Sequence, residues 1–241
     1  MEKKKSNAGI VIAIIIASVI IAGGAVAAAL IIHFTQQPND GGEPDEPVVV
    51  EQPRQGNDNP NILSSDHVRG KRDSKVLVLE YADPQCPGCA SMMPKMEKIY
   101  EKYKDKVAFV YRHYPIAGHQ NAQSAAIAIE AAGKQGYFWE MLTAIFDRRA
   151  DWIPFSGSKL TNAYTEIFND VTKKKGDTNQ FEKDLSDKEL SNKVSNDKKL
   201  GSKDGVTYTP SFYINGKLVE IDKVNDIQKE IEDKIEEALS E

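Results

Sequence analysis

The segment EYADPQCPGC, Glu80 to Cys89, carries both cysteines of this chain, Cys86 and Cys89, in a Cys-x-x-Cys spacing. Such a pair can be half of a metal site, a structural bridge or a working dithiol. A bridge across two intervening residues closes a very short loop, and loop-closure stabilisation grows with loop length, so as a staple it does little. Zinc asks for four nitrogen or sulfur ligands. The sequence has no second cysteine pair, and His33, His67, His113 and His119 do not fall at the usual zinc spacings. The dithiol reading remains, with no metal and no bound cofactor expected.

A working dithiol needs one sulfur held as a thiolate. The apolar run Val76–Leu79 reads as a strand ending near Tyr81, and helical spacing begins after a short loop, which puts Cys86 at the head of a helix. The first turn of a helix has unpaired N–H groups and about half a positive charge, so a thiolate there is stabilised. Pro87 is tolerated because the N–H it lacks would have no partner in the first turn. Cys89 lies one turn further in, placed to attack a mixed disulfide at Cys86. Glu80 ends the apolar run, and two placements are open for it. Buried beneath the dithiol, it would have a raised pKa and could take the proton of Cys89; otherwise it is a strand-end carboxylate facing solvent. Asp83 is read as shaping the loop.

The elements around this segment follow from periodicity. Met92, Met93, Met96, Ile99, Tyr100 and Tyr103 recur at helical spacing, and the methionines read as core fillers. Lys106–Tyr111 is a second β-rich run, so strand, helix and strand form a βαβ unit with a parallel pair. Two amphipathic helical stretches follow, through Ala122–Ala132 and Phe138–Phe146. Between Ser156 and Lys203 the chain is polar and lysine-rich and reads as short helices. His119 is assigned to a helix start and His113 to structure. Strands resume at Ser211–Ile214, with Asn215-Gly216 as a hairpin turn before Lys217–Glu220. Val224, Ile227, Ile231, Ile235 and Leu239 predict a closing amphipathic helix.

The N-terminal part of the chain has another character. Lys3, Lys4 and Lys5 precede an uncharged run from Gly9 to Ile32, which as a helix would span about 36 Å, enough for a bilayer core of about 30 Å. Residues 1–8 are then a cytoplasmic basic end, 9–32 a transmembrane anchor in contact with membrane lipid, and everything after it extracytoplasmic. A cleaved signal peptide is the alternative, and export follows from either. Residues 33–61, rich in Pro, Gly and acids, read as a linker, and 62–241 as the folded domain. The net charge of −5 and the lack of a basic stripe with interleaved aromatics exclude nucleic acid as a partner.

Several motifs, in order, carry a resemblance. They are DHVRG (Asp66–Gly70), VLVLEYADPQCPGC (Val76–Cys89), YRHYPI (Tyr111–Ile116), HQNAQSAAIAIEAAGKQGYFWEMLTAIF from His119, and TPSFYINGK (Thr209–Lys217). Together they resemble the thioredoxin-like, DsbA-type thiol–disulfide oxidoreductases of the membrane-anchored Gram-positive-type branch, over nearly all of Asp66–Glu241. The resemblance implies an α/β thioredoxin-like fold with a helical insertion between about Gly118 and Asp204. It implies Cys86 as the nucleophile, Cys89 as the resolving thiol, and Pro210 as the proline held in cis opposite them. Thr209 would line the peptide groove, with Pro87 and Gly88 also on the substrate-binding surface. A glutamate at the spacing of Glu80 belongs to the family, and Pro94 matches its helix-kinking proline.

Two positions depart from the family pattern. Pro84 stands where many relatives have an aromatic residue, and Gly88 where the strongest oxidants have histidine. The expected function is the donation of the Cys86–Cys89 disulfide to reduced exported proteins, with reoxidation by a quinone-linked membrane thiol oxidase. The same chemistry run backwards, as a reductase or isomerase, is the nearest alternative. A non-catalytic membrane-tethered binding module is the more distant one.

Overall fold

Strand β2 (Leu77–Ala82) forms where the continuous apolar run required a strand covered on both faces, and all of it is buried. It is the centre of a five-stranded sheet in the order β1-β3-β2-β4-β5, with β1 at Val68–Gly70, β3 at Ala108–His113, β4 at Ser211–Ile214 and β5 at Lys217–Leu218. Helix α1 (Pro87–Tyr103) links β2 to β3, and these two strands are parallel, as the βαβ reading requires; the other neighbouring pairs are antiparallel. The computed structural model describes residues 61–221 and 225–241. The basic N-terminus, the apolar run 9–32, the linker up to residue 60 and Val224 lie outside the described residues. Among the described residues, no helix is long and apolar enough to cross a membrane.

Strand alternation sorts the core into two sides. Val76, Val78, Phe212 and Ile214 pack with Met92, Met96 and Ile99 of α1 and with Ile231 and Ile235 of α7 (Ile227–Ser240). The methionines are therefore core residues. Leu77, Leu79, Tyr81 and Tyr213 point the other way and pack with Ile62, Val206 and Leu200.

Between β3 and β4 the chain inserts α2 (Ala122–Gly133), α3 (Phe138–Asp147), a 3-10 turn at Arg149–Asp151, α4 (Gly157–Val171), α5 (Thr178–Asp184) and α6 (Lys188–Lys203). The insertion spans the expected limits, but α4 and α6 are full-length helices of 15 and 16 residues, not short ones. Leu160, Tyr164, Ile167 and Phe168 of α4, and Leu190 and Val194 of α6, are buried and form a stripe along one face of each helix. In the Asn215-Gly216 turn both residues have positive φ, 48° and 79°, the twist that suits a tight hairpin. The returning strand is shorter than expected, ending at Leu218.

Helix α2 also buries a charge. Glu130 Oε2 and Oε1 lie 2.8 and 3.1 Å from Nε2 of His67 and of His113. Lys193 Nζ stands 3.6 Å from Glu130 and 2.7 Å from Asp197, whose Oδ2 also accepts the backbone N–H of His113. Burial opposes the charge on Glu130, yet the hydrogen bonds from His113 and His67 and the nearby Lys193 hold it well below the usual carboxylate range.

Candidate dithiol site

Cys86 occupies the N-cap position of α1 and Pro87 follows as its first residue. No side chain caps the helix, and no acidic residue lies in its first turn, so the unpaired N–H groups are left to the sulfur. Both cysteines are free thiols. The Cys89 side chain is the largest influence holding the Cys86 thiol down, to about 5, and the backbone N–H groups of Cys89 and Gly88 and the Thr209 side chain act in the same sense against the cost of burial. Burial pushes Cys89 the opposite way, far above the ordinary thiol range, and its hydrogen bond to Cys86 adds to this. The arrangement is therefore a thiolate at Cys86 receiving the S–H of a neutral Cys89.

Access follows the same division. Cys86 is 8% exposed and Cys89 1%, so the expected nucleophile is the more open of the two but is itself mostly covered. The cover is the Thr209–Pro210 segment, whose peptide bond is cis. Thr209 O lies 3.5 Å from Cys86 Sγ, a contact that is a hydrogen bond when that thiol is protonated. Thr209 is half-buried and Pro210 buried, while Pro87 is exposed and Gly88 partly so. The residues assigned from sequence to the dithiol and its surroundings thus converge at the N-terminus of α1.

Glu80 takes the buried one of its two open placements. Its register partners are Tyr111 on β3 and Phe212 on β4, and it is 7% exposed. Alternation from Val78 and Ala82 puts it on the side of the sheet covered by α1. Burial raises its pKa to about 7, against the pull of Arg69 and with some help from Glu97. A group poised there can hold or release a proton near neutrality. Tyr111 packs in the same cluster as both cysteines, and its buried hydroxyl has no hydrogen-bond partner among the described residues.

Asp83 shapes the loop as expected, by contacts that span the fold. Its carboxylate accepts from Gln85 N at 2.6 Å, from Ile116 N at 2.7 Å and from His119 Nδ1 at 2.7 Å. His119 does stand just before α2, but its ring turns to the active-site loop. Gln85 is held as well: its Oε1 accepts Asn121 N at 2.8 Å, and its carbonyl accepts from Arg149. Neither His119 nor Arg149 was marked by sequence as part of the site, since each is far from the cysteines along the chain. His67, His113 and His119 each engage a carboxylate rather than converging on the sulfurs. His113, Glu130 and Asp197 bring three potential ligand atoms within 4.8 Å of one another, but Lys193 already supplies a cation beside the two carboxylates.

Comparison with known proteins gives this geometry a family. Residues 63–233 match the family model described as thioredoxin. Among solved structures, alpha-DsbA1 from Wolbachia pipientis superposes with a TM-score of 0.60 at 26% identity, covering 74% of this chain and 93% of that one. BdbD from Bacillus subtilis, in its oxidised form, gives 0.59 at 26%, covering 73% and 94%. A thioredoxin-like oxidoreductase from Silicibacter pomeroyi gives 0.58 at 26%, covering 73% and 93%. A curated relative, a Na(+)/H(+) antiporter of Salinispora tropica, is 32% identical over 153 residues, 63% of this chain but 22% of the antiporter. The chain thus spans about a fifth of that relative's length, and the likeness is to one segment of it. Here a thiol at a helix head, a buried partner thiol and a cis-proline beside them sit on a matching scaffold, and the chain belongs to the thioredoxin family as a DsbA-like thiol–disulfide oxidoreductase with Cys86 and Cys89 as its redox pair.

Proposed function

We propose that the protein works as an oxidase of exported proteins, tethered to the outer side of the cell membrane by residues 9–32. The observation that carries the direction is the Cys86 thiolate, held near 5 beside a neutral Cys89. Stabilising the thiolate stabilises the reduced pair, so the disulfide form accepts electrons readily.

The cycle begins with the disulfide. A substrate thiolate attacks Cys86 Sγ; the Cys86–Cys89 bond breaks and a bond from substrate sulfur to Cys86 forms. Cys89 leaves as a thiolate and takes a proton, which Glu80, a buried acid whose charge acts on Cys89, supplies. A second substrate thiolate then attacks the first substrate sulfur, forming the substrate disulfide and expelling the Cys86 thiolate. Two electrons have passed from substrate to enzyme. A quinone-linked membrane thiol oxidase would take them on. Exposed aromatic residues near the site, Tyr208 beside Thr209 and Phe155 near Asn121, suit an unfolded polypeptide as substrate.

The reduction potential against a glutathione buffer tests the direction. A value well above that of thioredoxin, about −270 mV, is expected. A value at or below it replaces the oxidase with a reductase or isomerase, a reading that draws on Gly88, which offers no side-chain donor to the thiolate.

A further inference from the structure

Asp83 touches both cysteines through its backbone while its side chain is held from elsewhere. Its N–H donates to Cys89 Sγ at 3.5 Å, and its carbonyl accepts the N–H of Cys86 at 3.0 Å. The carboxylate is fully buried, a placement that is costly unless every oxygen is partnered. One of its donors, Gln85 N, belongs to the same loop, and another, Ile116 N, is backbone beyond β3. The third is a side chain, His119, which arrives from the start of the helical insertion and is 30% exposed.

We propose that His119 is a positioning residue for dithiol exchange: its hydrogen bond to Asp83 Oδ2 holds the Asp83 backbone N–H on Cys89 Sγ, the sulfur that leaves when substrate attacks Cys86. The inference rests on the exchange reading above. As the disulfide opens, negative charge develops on Cys89, deep in the core, and an aimed N–H is worth more there than in water. In the reduced pair the same N–H polarises the Cys89 S–H toward the Cys86 thiolate, completing a chain from Asp83 N–H through Cys89 to Cys86. Without His119 the buried carboxylate keeps two backbone donors and must move toward water for a third, drawing the Asp83 amide off the sulfur.

The test compares His119→Leu, which removes the donor, with His119→Asn, whose amide can still donate to Asp83. The full chain is equilibrated with reduced and oxidised glutathione, and the Cys86 thiolate is titrated by its ultraviolet absorbance. For His119→Leu the expected result is a threefold or greater shift of the equilibrium toward the enzyme disulfide and a higher Cys86 midpoint. His119→Asn should stay within twofold of wild type. Should His119→Leu fail to fold, His119→Phe, which keeps a ring and lacks the donor, takes its place with the same expectation. A donorless variant that folds and keeps both wild-type values overturns the proposal. So does a His119→Asn variant that shifts as far as the donorless ones. Failure of wild type itself to exchange with glutathione would instead sink the function proposed above.

Discussion

Gly88 and Pro210 face each other across the dithiol: a Cβ at position 88 would lie 3.5 Å from Pro210 Cδ and 3.6 Å from Cys86 Sγ, ordinary contact distances. Position 88 therefore admits a Cβ that the sequence does not use. Gly88→His should be accommodated and bring a donor to the thiolate. The reduction potential should rise by some tens of millivolts, where 30 mV corresponds to about 1.4 kcal/mol for this two-electron couple. An unchanged potential would show that the residue between the cysteines is not the control.

The division of labour between the sulfurs gives a trapping experiment. Cys89→Ser should accumulate mixed disulfides between Cys86 and substrates, because the internal thiol that would release them is gone. Cys86→Ser should accumulate few, since the remaining sulfur is buried and holds its proton. Equal trapping by the two variants contradicts the assignment.

Thiolate formation in the reduced protein should be visible as a titration near pH 5. The sign for stability follows from a folded value near 5 against an ordinary thiol value of 9.0. The stabilisation from the thiolate is fully present above about pH 9 and declines as pH falls through that window. Reduced wild type should therefore outlast Cys86→Ser in denaturant at pH 8 and lose the advantage below pH 5. Parallel unfolding curves at both pH values would refute it.

Glu80 works in the opposite sense. Its folded value near 7 lies above the ordinary 4.5, so the fold favours the neutral acid, and stability is lost as pH rises through 4.5 to 7. Glu80→Gln removes the ionisation and should stabilise the protein at pH 8, by up to about 3 kcal/mol at 1.36 kcal/mol per pKa unit, and hardly at all at pH 4. The same variant should slow exchange and flatten its pH dependence around neutrality. Rates that match wild type across pH 5–8 would leave Glu80 a structural residue.

The parts of this site that a reader could find in the sequence are those written in short-range pattern. The Cys86–Cys89 spacing, the apolar strand before it and the helical periodicity after it place both sulfurs without further help. Pro210 was legible through family likeness, because no local signal distinguishes a cis-proline from an ordinary strand start. What escaped were contacts between distant segments: Asp83 with His119, Gln85 with Arg149, Glu130 with two histidines. A hydrogen bond between residues so far apart leaves no period in the sequence, and His119 looks like any residue before a helix. Strand β1 escaped for a related reason, since Val68–Gly70 is too short to show alternation. In α4 and α6 the buried stripe was present, but the polar residues between its members disguised it.

The buried carboxylate of Glu130 has a consequence for how the protein comes apart. Its partners come from the segment before β1, from the end of β3 and from α6, while Glu130 itself sits on α2. The helical insertion cannot peel from the sheet without breaking the hydrogen bonds that tie Glu130 to His67 and His113, since of its partners only Lys193 travels with it. Heating should yield one calorimetric transition, with helix signal and aromatic environment lost together, and an intermediate that keeps the sheet while shedding the insertion should not accumulate.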